Sequence, residues 1–381
     1  MDRALDIAIV GYGIAGIAAA IHLQRAGHRV TRFERTDPPT SSGAGMLLHP
    51  AAMRLLERIG VLPTAIECGA PVRRIRAQTV QGRMLMDLGY GDVTEDPFGL
   101  GIQRGTLHRL LSSADPGRDR VLGGHKIVSV DAWAGFLVDA EHHRHGPFDL
   151  IVLADGTHSG LREQVVGSHY DRRASSAALV GLIDDPGGVA ADHLTQYFES
   201  TRHLGVWPVG RAFIGDQARC AVAISVSPAE AETVRREGRW RGLLTHLHPD
   251  LRTLLGGVAP PDLRVFTYRD VELARSCVGR VAFIGDAAHC MSPQLGTGAQ
   301  LAMDDAEVLA RVLGSHLNVA EALRAFMRIR EPQVRRHQLA SRLLTPLFQT
   351  DNRAIAFLRD NVFANALHFA SMKRMAQELF V

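Results

Sequence analysis

Gly11, Gly13 and Gly16 fall in the spacing GxGxxG, and Glu34 follows the last of them by 18 residues. Each part of this set has a chemical use. The first glycine permits a tight turn, the second lets backbone approach a pyrophosphate, and the third lets a helix pack closely on a strand. A helix that starts at such a loop presents unpaired N–H groups to an anion, and a carboxylate at the end of the next strand accepts hydrogen bonds from ribose hydroxyls. The set predicts a bound dinucleotide, NAD or FAD. A second set lies far along the chain, in "FIGDAAHCMSPQLGTGAQLAMDDA" from Phe283 to Ala306. It places a carboxylate, Asp286, directly after an apolar run, and then Gly296 and Gly298 before another helix.

The elements that must hold these residues can be read around them. "LDIAIV" reads as a buried strand, "GYGIAG" as a turn, "IAAAIHLQRAG" as a helix closed by Gly27, and "RVTRFERT" as a second strand. This βαβ start predicts a parallel sheet covered by helices. "HPAAMRLLERIGVL" follows as an amphipathic helix with Met53, Leu56 and Ile59 on one face. "FDLIVLAD" and "GRVAFIGD" are again buried strands, ending in Asp155 and Asp286, as strands that feed a ligand at their carboxyl ends do. Between them, segments such as "HLTQYFES" and "ARCAVAISVS" alternate and predict a separate, largely antiparallel sheet. Beyond Gly298 the chain is helical, with a kink expected at Pro332.

The expected fold is α/β: a Rossmann-like dinucleotide-binding domain with an inserted, largely antiparallel sheet and a helical C-terminus. The first domain takes residues 1–71, 101–176 and 267–345, the inserted substrate domain 72–100 and 177–266, and a C-terminal helical segment 346–381. That last segment spaces Ile355, Leu358, Val362, Phe369, Met372 and Met375 at helical intervals. Its polar face is not strongly basic, which favours packing on the body or on a second subunit, as in a homodimer, over a lipid surface.

Composition narrows the class. Of 381 residues 46% are hydrophobic and 22% charged, and a formal net charge of +3 is too small to point to nucleic acid or anionic lipid. Cys68, Cys220, Cys277 and Cys290 form no CxxC, which speaks against a zinc site, a disulfide framework or a disulfide reductase and fits a reducing cytoplasm. "EHHRHG" (Glu141 to Gly146) lies between apolar runs and reads as a hairpin turn rather than a metal site. The apolar N-terminal run is preceded by Asp2 and Asp6 and is interrupted by glycines, unlike a signal peptide.

Why does the chain return to a second glycine loop? NAD at the first would leave the second little to do. FAD is longer, and its ribityl and isoalloxazine parts need further contacts. Asp286 then serves a ribityl hydroxyl or the pyrophosphate region through water, and the "GTGAQ" helix start stabilises negative charge on the reduced ring. On this reading the second loop is the far end of one FAD site.

"GYGIAG…FER", "LADGTHSGLR" and "GDAAHCMSPQLGTGAQLAMDDA", in this order, resemble the single-component (group A) FAD-dependent aromatic monooxygenases of the para-hydroxybenzoate hydroxylase type. The resemblance covers roughly residues 5–60, 100–165 and 270–345. It implies that Gly11, Gly13, Ile14, Ala15, Gly16, Glu34 and Arg35 hold the ADP half of FAD, and that the loop "SSGAGMLLHP", with Gly45 and Met46, lies along the flavin. Arg104 is implied at the phosphate–ribityl region, and Asp155 and Gly156 at a site shared by FAD and nicotinamide, with Arg162 at a fitting distance. Gly285, Asp286, Gly296, Thr297, Gly298 and Ala299 complete the cofactor set, and Pro293 stands beside the flavin's reactive face. Thr297 replaces a common glutamine, and Gln300 a common small or amide residue. Gln294, between the proline and the glycines, is expected to face substrate.

The implied reaction consumes NAD(P)H and O2 and hydroxylates a small aromatic or heteroaromatic ring through a flavin hydroperoxide. Gln196, Tyr197, Trp207 and Tyr268 are the candidate substrate contacts on the second sheet, and none of the 18 histidines is singled out as a base. Other readings stay open: an epoxidase or double-bond reductase of the same fold, or a non-catalytic flavin-binding protein, which Pro293 disfavours. A flavin-dependent halogenase would carry WxWxIP, which "GVWPVG" does not supply.

Overall fold

The computed structural model describes residues 3–39, 44–167, 170–184, 190–198, 203–237 and 263–348, with single positions between 352 and 377. The segment 41–43, most of the expected C-terminal helix and residues 238–262 lie outside the described residues.

Buried apolar runs form a six-stranded sheet in the order Cys277–Val278, Val281–Phe283, Leu150–Leu153, Asp6–Val10, Arg29–Phe33 and Val121–Leu122. All neighbours pair in parallel except the edge strand Cys277–Val278. The register sets Phe33, Val10, Leu153 and Phe283 in one row across the sheet. Four strands therefore end side by side, and the residues that follow them (Glu34, Gly11, Ala154 and Ile284) start their loops from a common edge. That register is how segments so distant in sequence come to share a site.

Helix Ile14–Arg25 is buried along most of its length, with Ile17, Ala18, Ala19, Ala20, Ile21 and Leu23 removed from solvent. A helix that is apolar and rich in alanine from Ile14 to Ile21 suits a position between layers, and it packs against helix Gly298–Ser315. The second sheet has seven strands, in the order Leu263–Glu272, Tyr170–Ile183, Arg219–Val226, His203–Gly210, His193–Phe198, Arg74–Thr79 and Met84–Gly89. It is antiparallel except where His193–Phe198 runs parallel to Arg74–Thr79. The expected domain boundaries at 176/177 and 266/267 fall inside the paired strands Tyr170–Ile183 and Leu263–Glu272, which run from the cofactor half into the second sheet. Helix Val319–Phe348 continues through Pro332 as one element of 30 residues.

The "EHHRHG" stretch enters the short strand Arg144–His145, which pairs with Phe136–Asp139. Asp139 fastens this hairpin: Oδ1 accepts the backbone N–H groups of Glu141 (3.0 Å) and His143 (2.9 Å), and Oδ2 faces His145 Nε2 at 2.9 Å and His125 Nδ1 at 3.2 Å. His125, Asp139 and His145 are the one group with metal-ligating spacing among the described residues. The four cysteines are free and buried. No helix among the described residues is long and apolar enough to cross a membrane.

Candidate active site

The first glycine loop is fixed from several sides. Gly11 has φ +99°, and a Cβ on it would collide with the Ala154 carbonyl oxygen; a Cβ on Gly16 would collide with the carbonyl of Gly11. Gly13, by contrast, faces open space. The residue between the first two glycines, Tyr12, anchors the turn. Its N–H donates to Glu34 Oε2 (2.9 Å), its hydroxyl donates to buried Asp115 (2.8 Å), and its carbonyl accepts from His108 Nε2 (2.9 Å). Asp115 in turn holds buried Arg32 through Nε (2.7 Å) and Nη2 (2.5 Å). The second Glu34 oxygen accepts from the N–H and hydroxyl of Thr36, both at 3.0 Å. Glu34→Ala is expected to weaken FAD through its adenosine half and leave the absorption spectrum of bound flavin unchanged. A shifted spectrum would place Glu34 at the ring.

The later strand ends are fastened to one another. Arg162, 1% exposed, donates from Nε to Ala287 O (2.9 Å) and from Nη2 to Gly156 O (3.0 Å) and Thr157 O, and pairs through Nη1 with Asp171 (2.8 Å). It thus ties the loop after Leu153 to the loop after Phe283. Beneath them lies Asp305, 2% exposed. Its carboxylate accepts from the Gly285 N–H (2.8 Å), faces His289 Nε2 (2.6 Å) and accepts from Arg330 Nε (2.7 Å). The His289 and Arg330 charges outweigh burial and hold its pKa down at about 2. A Cβ on Gly285 (φ +59°) would lie 2.8 Å from that of Ala15, so the two glycine loops touch. The long C-terminal helix adds His337 Nδ1 against Thr297 Oγ1 (3.2 Å) and Ser341 Oγ donating to Ser292 O (3.0 Å).

These loops and the second sheet enclose one cavity of about 550 Å³. Of the expected cofactor residues, Gly13, Ile14, Ala15, Gly45, Met46, Arg104, Gly156 and Asp286 line it, as do Gly296, Thr297, Gly298 and Ala299. Pro293, Gln294, Gln196, Trp207 and Tyr268 line it as well. Gly11, Gly16 and Gly285 are not among the lining residues and act as spacers, and part-exposed Glu34 lies outside the cavity, just past strand Arg29–Phe33. Asp155 lies beside Gly156, with Oδ1 unpartnered and its carboxyl pushed up by burial.

Arg35 is exposed and, like Glu34, not among the lining residues, while its charge acts on Asp155 beside the cavity. Tyr197 belongs to the core on the far face of the second sheet, with Leu204, Val206 and Val222. Side chains alternate along a strand, so Gln196 facing the cavity turns Tyr197 away; both could not serve as substrate contacts. The sequence reading missed Tyr12, His108, Asp115, Asp305 and Arg330. Only Asp305 carried a signal, as the second acid of "MDDA".

The donors fit FAD. Arg104 brings a buried Nε without a partner to the wall, Gly13 and Gly298 leave room for close backbone approach, and Asp286 stands at the strand end with Thr157 donating to its Oδ2 at 3.1 Å. Helix Gly298–Ser315 begins at this wall.

Burial pushes His49, His203 and His337 down to about 4. Each is near 6.5 when unfolded. Below that pH the unfolded chain takes up protons the folded chain refuses, so stability present above pH 6.5 is lost as pH falls towards 4, about 1.4 kcal/mol per pH unit for each unmatched proton. Asp304, pushed up to about 6 by burial, opposes them with one proton. The Tm should be level above pH 7 and fall between pH 6.5 and 4; a flat Tm to pH 4.5 would contradict the neutral buried histidines.

Residues 4–338 match the family described as FAD binding domain, and the chain belongs to that family. It is 30% identical over 339 residues to a probable 2-heptyl-3-hydroxy-4(1H)-quinolone synthase of Rhodococcus erythropolis, covering 87% of this chain and 86% of that protein. It is 30% identical over 359 residues to a 3-amino-4-hydroxybenzoate 2-monooxygenase of Streptomyces platensis, covering 88% and 86%. A Klebsiella pneumoniae protein crystallised with FAD and uric acid superposes with a TM-score of 0.86 at 22% identity, over 98% of this chain and 96% of that one, a likeness of fold.

Proposed function

We propose that this chain is a FAD-dependent monooxygenase that hydroxylates a small aromatic or heteroaromatic ring with NAD(P)H and O2 as co-substrates. The observation that carries the reading is the single cavity, walled on one side by both glycine loops and on the other by a sheet face bearing Gln196, Trp207 and Tyr268. The relatives named above support it: one is named as a probable synthase of a 3-hydroxylated quinolone, the other as a monooxygenase of an aminohydroxybenzoate.

FAD, when bound, supplies the redox chemistry: it accepts a hydride from nicotinamide and activates dioxygen for transfer to the ring. The chain's residues position and shield. Gly13 and the start of helix Ile14–Arg25 offer backbone N–H groups to phosphate, Arg104 a cation, and Glu34 and Asp286 carboxylates to hydroxyls. The start of helix Gly298–Ser315 presents N–H dipoles that stabilise negative charge beside Pro293. Trp207, Phe266 and Tyr268 wall the opposite side and exclude water from it. The strand Gly45–Leu48 and Arg104 close the cavity between the two.

The test is NAD(P)H oxidation by the FAD-loaded protein across phenols, hydroxypyridines, quinolones and purines, with peroxide quantified. A ring that speeds oxidation without matching peroxide is expected. Release of peroxide equal to NAD(P)H consumed, with every ring, would reject oxygen transfer.

A further inference from the structure

The sheet face of the cavity, at Gln196 and Trp207, and the loop facing it, at Gln294, carry polar atoms that no described residue satisfies. Gln196 Oε1, Trp207 Nε1 and both amide atoms of Gln294 are buried without a hydrogen-bond partner, and all three side chains line the cavity. Buried polar groups are nearly always paired, so these are addressed to a ligand. Their roles are fixed by chemistry: the indole N–H can only donate, Gln196 Oε1 can only accept, and Gln294 does both. A ligand that satisfies them offers both a donor and an acceptor.

The sheet half of the cavity shows no free cation among its described lining residues. Two arginines line the cavity among the described residues, Arg104 and Arg269. Arg269 is held by Asp171, with Nε at 2.8 Å and Nη2 at 2.7 Å from the carboxylate. Arg104 starts the helix after strand Gly99–Gln103, at the cofactor wall, its backbone N–H bound to Ala44. His203 is neutral at physiological pH. A carboxylate placed against this sheet would give up its hydration without a charge to replace it. Beyond the polar atoms, Ile75, Met86 and Leu88 continue the wall as apolar surface.

We infer that the substrate is an uncharged heteroaromatic ring with an N–H donor and a C=O acceptor on its edge (a cyclic amide of the pyridone or quinolone kind) carrying an apolar substituent, and that Gln196, Trp207 and Gln294 are its specificity-determining contacts. A cyclic amide and the Gln294 amide present matching donor and acceptor pairs, and the outer strands receive the substituent. This rests on the monooxygenase reading for taking the cavity as a substrate site.

The test titrates the FAD-loaded protein with 3-propylquinolin-2(1H)-one, its N-methyl derivative and 2-oxo-1,2-dihydroquinoline-3-carboxylate, following the flavin absorbance. The parent quinolone should bind at least tenfold tighter than either analogue. Gln294→Leu should lower its affinity about tenfold while changing that of the N-methyl compound little, and Trp207→Phe should also cost about tenfold, with FAD content reporting that each variant is folded. Tighter or equal binding of the carboxylate, or no perturbation by the quinolone, would overturn the inference. NAD(P)H oxidation, followed in parallel, separates the two readings. Tight quinolone binding with no oxidation would sink the monooxygenase and leave the neutral-ring site. Stimulation by the carboxylate alone would do the reverse.

Discussion

Asp286→Ala should yield a folded protein whose FAD affinity has fallen about 10- to 100-fold, the loss expected when a hydrogen bond to a charged group is removed. The carboxylate stands at the end of strand Val281–Phe283 and lines the cavity, and inside the protein it accepts one hydrogen bond, from Thr157 Oγ1. Its removal leaves the core intact, so the Tm of the apoprotein should barely change. Asp286→Asn keeps an acceptor and should lose less. Gel filtration decides the matter: FAD retained by the alanine variant as by the wild type would reject the second glycine loop as part of the cofactor site.

Asp305→Ala should be the most destabilising single change in the site, at about 3–5 kcal/mol, the cost of stripping one partner from a buried ion pair. It would strip the Arg330 Nε, the Gly285 N–H and the His289 ring of their partner together, while Arg330 keeps Gln333 and Leu301 O. Against a total stability of about 5–15 kcal/mol, that loss should appear as a large drop in the urea midpoint. Asp305→Asn, which can still accept from Gly285, should fall between. A midpoint shift below about 1 kcal/mol for the alanine variant would show that the network does not hold the loop. Arg330 reaches Asp305 from the C-terminal helix, so the same variant should also loosen that helix from the cofactor loop.

What the sequence disclosed follows from what is local. Continuous apolar runs ending in Gly11, Asp155 and Asp286 announce parallel strands and their carboxyl ends, and glycine spacing announces a turn, because each is written within a few residues. The parallel register that sets Val10, Leu153 and Phe283 in one row then joins the loops without further information. Tyr197 shows the limit. Composition marked it as a ring on a strand, but which face it takes depends on the register that sends Gln196 inward. The fasteners were illegible for another reason. Tyr12 to Asp115, Arg162 to Ala287 and Arg330 to Asp305 are polar pairs made between elements far apart in the chain. In sequence, His337 and Ser341 look like the polar face of a helix, whereas both are buried against the Ser292–Thr297 loop.

Both glycine loops face one cavity, where a single FAD is expected to bind. The most direct measurement is a fluorescence titration of the apoprotein with FAD, repeated on Glu34→Ala and on Asp286→Ala. One binding event per chain, weakened by either substitution, is the predicted result. Two independent events, or one that ignores the Asp286 substitution, would contradict it.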